Sequence, residues 1–216
     1  MKQFNALVLG ICSLTLSLRS TAQKSIAEGK IVYDIVIQTG STTLQGASNT
    51  IYLKGNNSRT DMVSPLGNET TIHNARSGTA AILKEYSGQK LMIKLTKENW
   101  EAKNKAYQDI SFENTNDTKT IAGYVCKKAI AKMADGKTFA VYYSPELVAA
   151  NKEYDPTFSH LNGLAMEYEI ETGKIKFTYT LSKVGFDAVP MATFDFPTSG
   201  YRVMSYEESQ QMKKGN

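Results

Sequence analysis

The chain has 216 residues, with 25 lysines and arginines against 21 acids and a formal net charge of +4. That excess is too small and too scattered for the basic footprint of a nucleic-acid binder, so nucleic acid is not an expected partner. Its only two cysteines, Cys12 and Cys126, exclude a disulfide framework, and stability has to come from a packed core.

At the N-terminus Lys2 is a short positive region and residues 6–18 are an apolar run, too short for a typical membrane-spanning helix. Ser20-Thr21-Ala22 then places small residues ahead of Gln23, the usual cleavage geometry. Residues 1–22 are therefore predicted to be a cleavable signal peptide and residues 23–216 a single domain. The protein is expected to be exported, periplasmic or outer-membrane-associated. Leu9-Gly10-Ile11-Cys12 approximates a lipoprotein box, but Ile11 stands where a small residue belongs, so no lipid anchor is expected. Cleavage removes Lys2, Arg19 and Cys12 and no acid, which halves the net charge and leaves Cys126 alone.

Period-two alternation dominates the rest, the mark of strands with one buried face. Ile31, Tyr33, Ile35 and Ile37 share a face, as do Ile51 and Leu53, and then Leu91, Ile93 and Leu95. Asn99 is expected to cap a short helix reaching Tyr107. Phe139, Val141 and Tyr143 alternate next, and residues 145–154 leave room for a helical turn or two. Leu164, Met166, Tyr168 and Ile170 alternate with Glu167 and Glu169; Ile175, Phe177, Tyr179 and Leu181 alternate with Lys176 and Thr178. Glu171-Thr172-Gly173-Lys174 between them reads as a hairpin turn that aligns the acids with Lys176 and Thr178 in a cross-strand ladder. Ser205-x-x-Glu208 is a capping-box pattern for a C-terminal helix.

The fold class is mainly β: a curved antiparallel sheet, an open half-barrel, with a few short helices. Such a sheet either fills its concavity with its own side chains or leaves space for an apolar ligand.

Recognisable catalytic chemistry is missing. Neither His73 nor His160 has a metal-type neighbour, and Asp155 beside His160 reads as an ordinary loop pair. There is no nucleophile elbow, phosphate loop or dinucleotide fingerprint. Cys126, followed by Lys127 and Lys128, reads as a core cysteine on a strand rather than an activated thiol. The chain is expected to be no enzyme and to use no cofactor or metal.

Around Cys126, Lys119-Thr120-Ile121-Ala122-Gly123-Tyr124-Val125-Cys126-Lys127-Lys128-Ala129 resembles a strand motif of exported Gram-negative proteins of the GLPGLI group and relatives of unknown function. Phe139 to Leu147 matches the strand that follows it. Leu161-Asn162-Gly163-Leu164-Ala165-Met166-Glu167-Tyr168 stands where that group has its Gly-Leu-Pro-Gly-Leu-Ile-like segment. The proline is absent, which points to a sister family. Residues 51–61, a strand, a turn and Arg59-x-Asp61, resemble early strands of lipoprotein-localisation-factor-like (LolA/LolB-like) folds, and Thr193 to Tyr201 resembles their last strand and exit. The resemblance implies an open half-barrel whose apolar concavity, in characterised relatives, carries acyl chains; by itself it assigns no function.

The expected function is a non-catalytic carrier or binding protein for a lipid or other hydrophobic small molecule. The inward residues Tyr33, Ile35, Leu53, Ile93, Val141, Met166, Tyr168 and Phe177 are the candidate cavity lining. The alternative is a closed core and an interaction module for an outer-membrane or envelope protein, presenting Tyr52, Arg59, Tyr142, Lys174 and Lys176 on its outer face.

Overall fold

The computed structural model describes residues 23–214, so the predicted signal peptide lies outside the described residues. The chain runs through β1 (Lys24–Ile26), β2 (Glu28–Thr39), β3 (Thr42–Lys54), β4 (Asn57–Ser64), β5 (Gly67–Asn74), β6 (Ala80–Tyr86) and β7 (Gln89–Leu95). Helix α1 (Lys97–Lys103) leads to β8 (Ser111–Ile121), β9 (Tyr124–Lys132), β10 (Thr138–Ser144) and β11 (Leu147–Ala149). Two 3₁₀ turns, Lys152–Tyr154 and Pro156–Phe158, precede β12 (Leu164–Thr172) and β13 (Ile175–Gly185). A strap over 186–201 then reaches β14 (Arg202–Ser205) and α2 (Tyr206–Lys214).

Twelve strands form one sheet in the order β14-β7-β6-β5-β4-β3-β2-β13-β12-β10-β9-β8. Neighbours are antiparallel except β14, which runs parallel to β7. The end strands β8 and β14 do not pair, so the sheet is open. Met62 of β4 packs on the cluster of Ile35, Ile37 and Ala47, and the curl lets it line one hollow with Phe177 of β13, three strands away. This is the mainly β, open curved sheet with few short helices that the alternation and turn spacing imply. Among the described residues no helix is long and apolar enough to cross a membrane.

The inner face is buried in pieces. The parallel pair β1–β11 and the turn at Phe158 and Leu161 cover Ile31, Tyr33, Leu53, Val141 and Met166. Trp100 of α1 and Met204 of β14 cover Ile82, Leu91 and Ile93. The strap closes part of the outer face, packing Val189 and Phe194 on Ile72, Leu83 and Met92. Polar contacts pin it there: Arg59 donates to Asp61 at 2.9 Å and to the Thr193 carbonyl at 3.1 Å. Lys54 bonds both Glu28 (2.6 Å) and the Val189 carbonyl (2.8 Å). The Arg-x-Asp element therefore anchors the strap.

Several local expectations change. The cap of α1 is Thr96, and Asn99 is its reciprocal partner three residues on, each bonding the other's backbone N–H at 3.2 Å. Residues 145–154 hold β11 as well as a 3₁₀ turn, because pairing with β1 satisfies that backbone. Thr193 to Tyr201 is strap, not strand; the last strand is β14. Glu169 makes the ladder contacts with Lys176 (3.0 Å) and Thr178 (3.2 Å), but Glu167 turns to Lys119 of β8 (2.7 Å). The C-terminal capping box forms, with the Glu208 backbone donating to Ser205 Oγ at 3.2 Å.

The Cys126 motif is a hairpin. Ile121 pairs with Tyr124, and Ala122 (φ 48°) and Gly123 (φ 84°) make a two-residue turn. Gly163 is required by a close approach: a Cβ there would stand 2.3 Å from the Ser144 carbonyl oxygen. His73, on β5, is 1% exposed and stacks on Trp100 with ring centroids 4.3 Å apart. Neither of its ring nitrogens has a hydrogen-bond partner among the described residues. Burial lowers its pKa from 6.5 to about 4.

Two stability measurements follow. Ala122→Gly relieves a left-handed alanine and is expected to raise unfolding stability by about 1 kcal/mol in urea. The folded His73 ring stays neutral to about pH 4, while an unfolded histidine charges below 6.5. Stability should therefore fall as pH drops through that interval, by up to about 3 kcal/mol. His73→Phe keeps the stack on Trp100 and should remove this part of the pH dependence, seen as a smaller shift in urea midpoint between pH 7 and pH 4.

Candidate functional site

Of the four ladders with a register shift, the one between β10 and β12 ends short of both strands. β10 and β12 pair from Ser144↔Leu164 to Val141↔Tyr168. The partner of β10 steps from Ala165 to Glu167 between Tyr143 and Tyr142, leaving Met166 as an extra residue, a bulge that bends β12. Continuing the register past Val141 would match Ala140 with Glu169, Phe139 with Ile170 and Thr138 with Glu171. None of those pairs forms, although β10 stays paired to β9 as far as Thr138 and β12 to β13 as far as Thr172.

The gap holds a cleft of about 730 Å³. From the inner side it is lined by Phe139, Tyr168 and Ile170, with Met133, Tyr107 and Thr157 beside them. Its outer rim carries Lys128, Tyr142, Glu167, Glu169 and Glu171. The volume is in the range of small-molecule sites, and the lining is apolar within and charged at the lip.

Behind Tyr168 the rings are packed. Tyr168 stacks on Tyr179 at 4.7 Å, meets Phe158 edge-on at 4.6 Å and Tyr33 at 5.9 Å. The Tyr33 hydroxyl donates to the Ala165 carbonyl at 2.8 Å. Burial pushes the pKa values of both phenols well above 10. Burial also raises the Asp155 carboxyl, although the Thr157 backbone N–H donates to it at 3.0 Å. A second hollow of about 410 Å³ separates α1 from the 3₁₀ turn at Pro156, between Trp100 and His160. Among the described residues no group of three or more His, Cys, Asp or Glu is placed to hold a metal ion.

The eight candidate lining residues are spread over three clusters. Tyr33, Leu53, Val141, Met166 and Tyr168 share the largest, Ile35 and Phe177 a second, and Ile93 lies beneath Trp100 in a third. Tyr168 lines the large cleft; Leu53, Val141 and Met166 are fully enclosed by protein. The cleft residues Phe139 and Ile170 belong to the same alternating runs but were not among the eight. Nothing in the runs marks where β10 and β12 part. Cys126 is fully buried, and burial raises its pKa despite the adjoining lysines. Of the outer-face residues, Tyr52 and Arg59 contact the strap, while Tyr142 lies at the cleft rim.

Residues 28–152 match the family described as domain of unknown function DUF4412. The chain belongs to this family. The match covers β2 to β11, so in this DUF4412 chain one wall of the cleft lies inside the matched region and the other, β12, beyond it. Among curated protein sequences none matches. The solved structure of PNGF-II is similar at 12% identity and a TM-score of 0.51, over 85% of this chain and 33% of that one. The chain thus spans about a third of the length of PNGF-II, and the likeness concerns the fold alone. Looser likenesses are a LolA superfamily protein from Nitrosomonas europaea (9% identity, TM-score 0.35, 82% of this chain and 93% of that one) and MucB (9%, 0.33, 82% and 60%).

Because Met166 is fully enclosed, Met166→Trp is expected to overpack the core and lower stability by about 1–3 kcal/mol, measured by urea unfolding.

Proposed function

We propose that this DUF4412 protein is an exported, non-catalytic binding protein for a lipid or other hydrophobic small molecule. In this reading residues 1–22 direct export, and the kinship with the GLPGLI group is that of a sister family. The observation that carries the proposal is the cleft of about 730 Å³ at the fault between β10 and β12, apolar inside and charged at its lip. A ligand with an apolar chain and a polar head matches that division: methylenes lie on Phe139, Tyr168 and Ile170, and the head stays at the rim among Lys128, Glu167 and Glu169. Each buried methylene contributes about 0.8 kcal/mol, so micromolar binding calls for burial of about ten or more, the length of a long acyl chain. The eight inward residues proposed from alternation take two roles in this reading. Tyr168 touches the ligand, and the others hold the sheet in its curl.

A fluorescent long-chain fatty acid titrated into the purified protein tests the proposal. Ile170→Glu sets a charge against the ligand chain and should weaken binding at least about tenfold. Val203→Glu, on the exposed side of β14, should leave binding unchanged. Equal binding by the parent and Ile170→Glu, or no binding by either, overturns the assignment.

A further inference from the structure

The two walls of the cleft are strand edges. Thr138 to Ala140 on β10 and Glu169 to Thr172 on β12 have lost their mutual register, while each wall remains paired on its far side. Among the described residues no ladder joins these two stretches to each other. Such edges, set opposite one another in a sheet, are complementary on both sides to a third extended backbone. A lipid chain supplies neither the donors nor the acceptors.

The outer edges of the sheet are poor alternatives. β8 is broken by a register shift between Asn114 and Thr118 and carries Glu113, Asp117 and Lys119, features that blunt an edge. β14 has four residues and runs straight into α2. The internal gap differs in offering two facing walls, each held in place by its other neighbour.

The side chains along the gap restrict what enters. Inward positions of an added strand would meet Phe139, Tyr168 and Ile170. Outward positions would lie between Thr138 and Ala140 on one wall and Glu169 and Glu171 on the other. The two glutamate side chains are 51% and 71% exposed; Lys176 pairs with both, and Thr178 also donates to Glu169. Cross-strand pairing with these acids favours lysine or arginine.

We propose that the gap between β10 and β12 is a strand acceptor: it takes an extended segment of a partner polypeptide, apolar at alternate positions and basic between them. The proposal rests on the assignment of this cleft as the ligand site and names a second class of ligand for it. Insertion would join β10 and β12 through the guest and make the sheet continuous, the β-augmentation mode of peptide recognition placed inside a sheet rather than at its rim.

The test uses the protein expressed from the full chain and a capped heptapeptide alternating lysine and valine, followed by fluorescence anisotropy and amide hydrogen exchange. The peptide should bind and slow exchange at Thr138–Ala140 and Glu169–Thr172. Methylating its alternate backbone nitrogens removes one row of donors and should weaken binding at least about tenfold. A glutamate–valine peptide should bind about tenfold more weakly than the lysine–valine one, and Glu169→Lys with Glu171→Lys should reverse that preference. Equal binding of the methylated peptide, or exchange unchanged at both walls, overturns strand insertion. If the fatty acid still binds with its dependence on Ile170, the strand proposal alone fails; if neither probe binds, the cleft assignment fails as well.

Discussion

Most of the buried apolar side chains of the main sheet lie on its inner face, and that face has little to be buried against. Two short helices, a two-stranded pair and a few 3₁₀ turns are the available cover. The sheet therefore curls until its inner residues approach one another, as Met62 and Phe177 do on either side of one hollow, and the short elements seal what remains. Burial by curling needs strong twist, and bulges are the usual means of supplying it. Register shifts occur in the β2–β3, β2–β13, β8–β9 and β10–β12 ladders, on both sides of the most tightly packed region.

The same need for curvature accounts for the cleft. At three of those four shifts the ladder resumes and runs on for three or more pairs. At the fourth, β10 and β12 form two more pairs and then separate, each held by its other neighbour. The main chain there trades intramolecular pairing for solvent, and apolar Phe139 and Ile170 are left beside an opening. The cleft lies where β10 and β12 separate within the sheet, and the packed aromatic cluster of Tyr33, Tyr168, Tyr179 and Phe158 stands directly behind it.

Much of the strand content was legible because alternation is a strong local signal. β2, β3, β7, β10, β12 and β13 fall where the apolar periodicity places them, and Glu171 to Lys174 make the expected hairpin end. The capping box at Ser205 and Glu208 was equally plain, since it needs only residues three apart. Thr96 was missed as the cap of α1 because Asn99 is itself a good cap residue and the reciprocal contact is invisible without coordinates. Thr193 to Tyr201 was expected as a last strand from the family resemblance alone, and only the docking of Arg59 on the Thr193 carbonyl and of Phe194 on the outer face shows that it lies across the sheet rather than within it.

The amino-acid sequence alone determined which side chains of each main strand point inward and where several strands turn, because both depend on backbone geometry over a few residues. It left open whether that inward face encloses space or is filled. Alternation reports a side chain's face and says nothing of its place around the curl, so the eight candidate residues share a face but fall in three clusters. Only the tertiary structure decided that Leu53, Val141 and Met166 are core and that the opening lies between Phe139 and Ile170. The cause is physical: enclosed volume and strand separation depend on how twelve strands bend together, a sum over the whole sheet that no single run of residues contains.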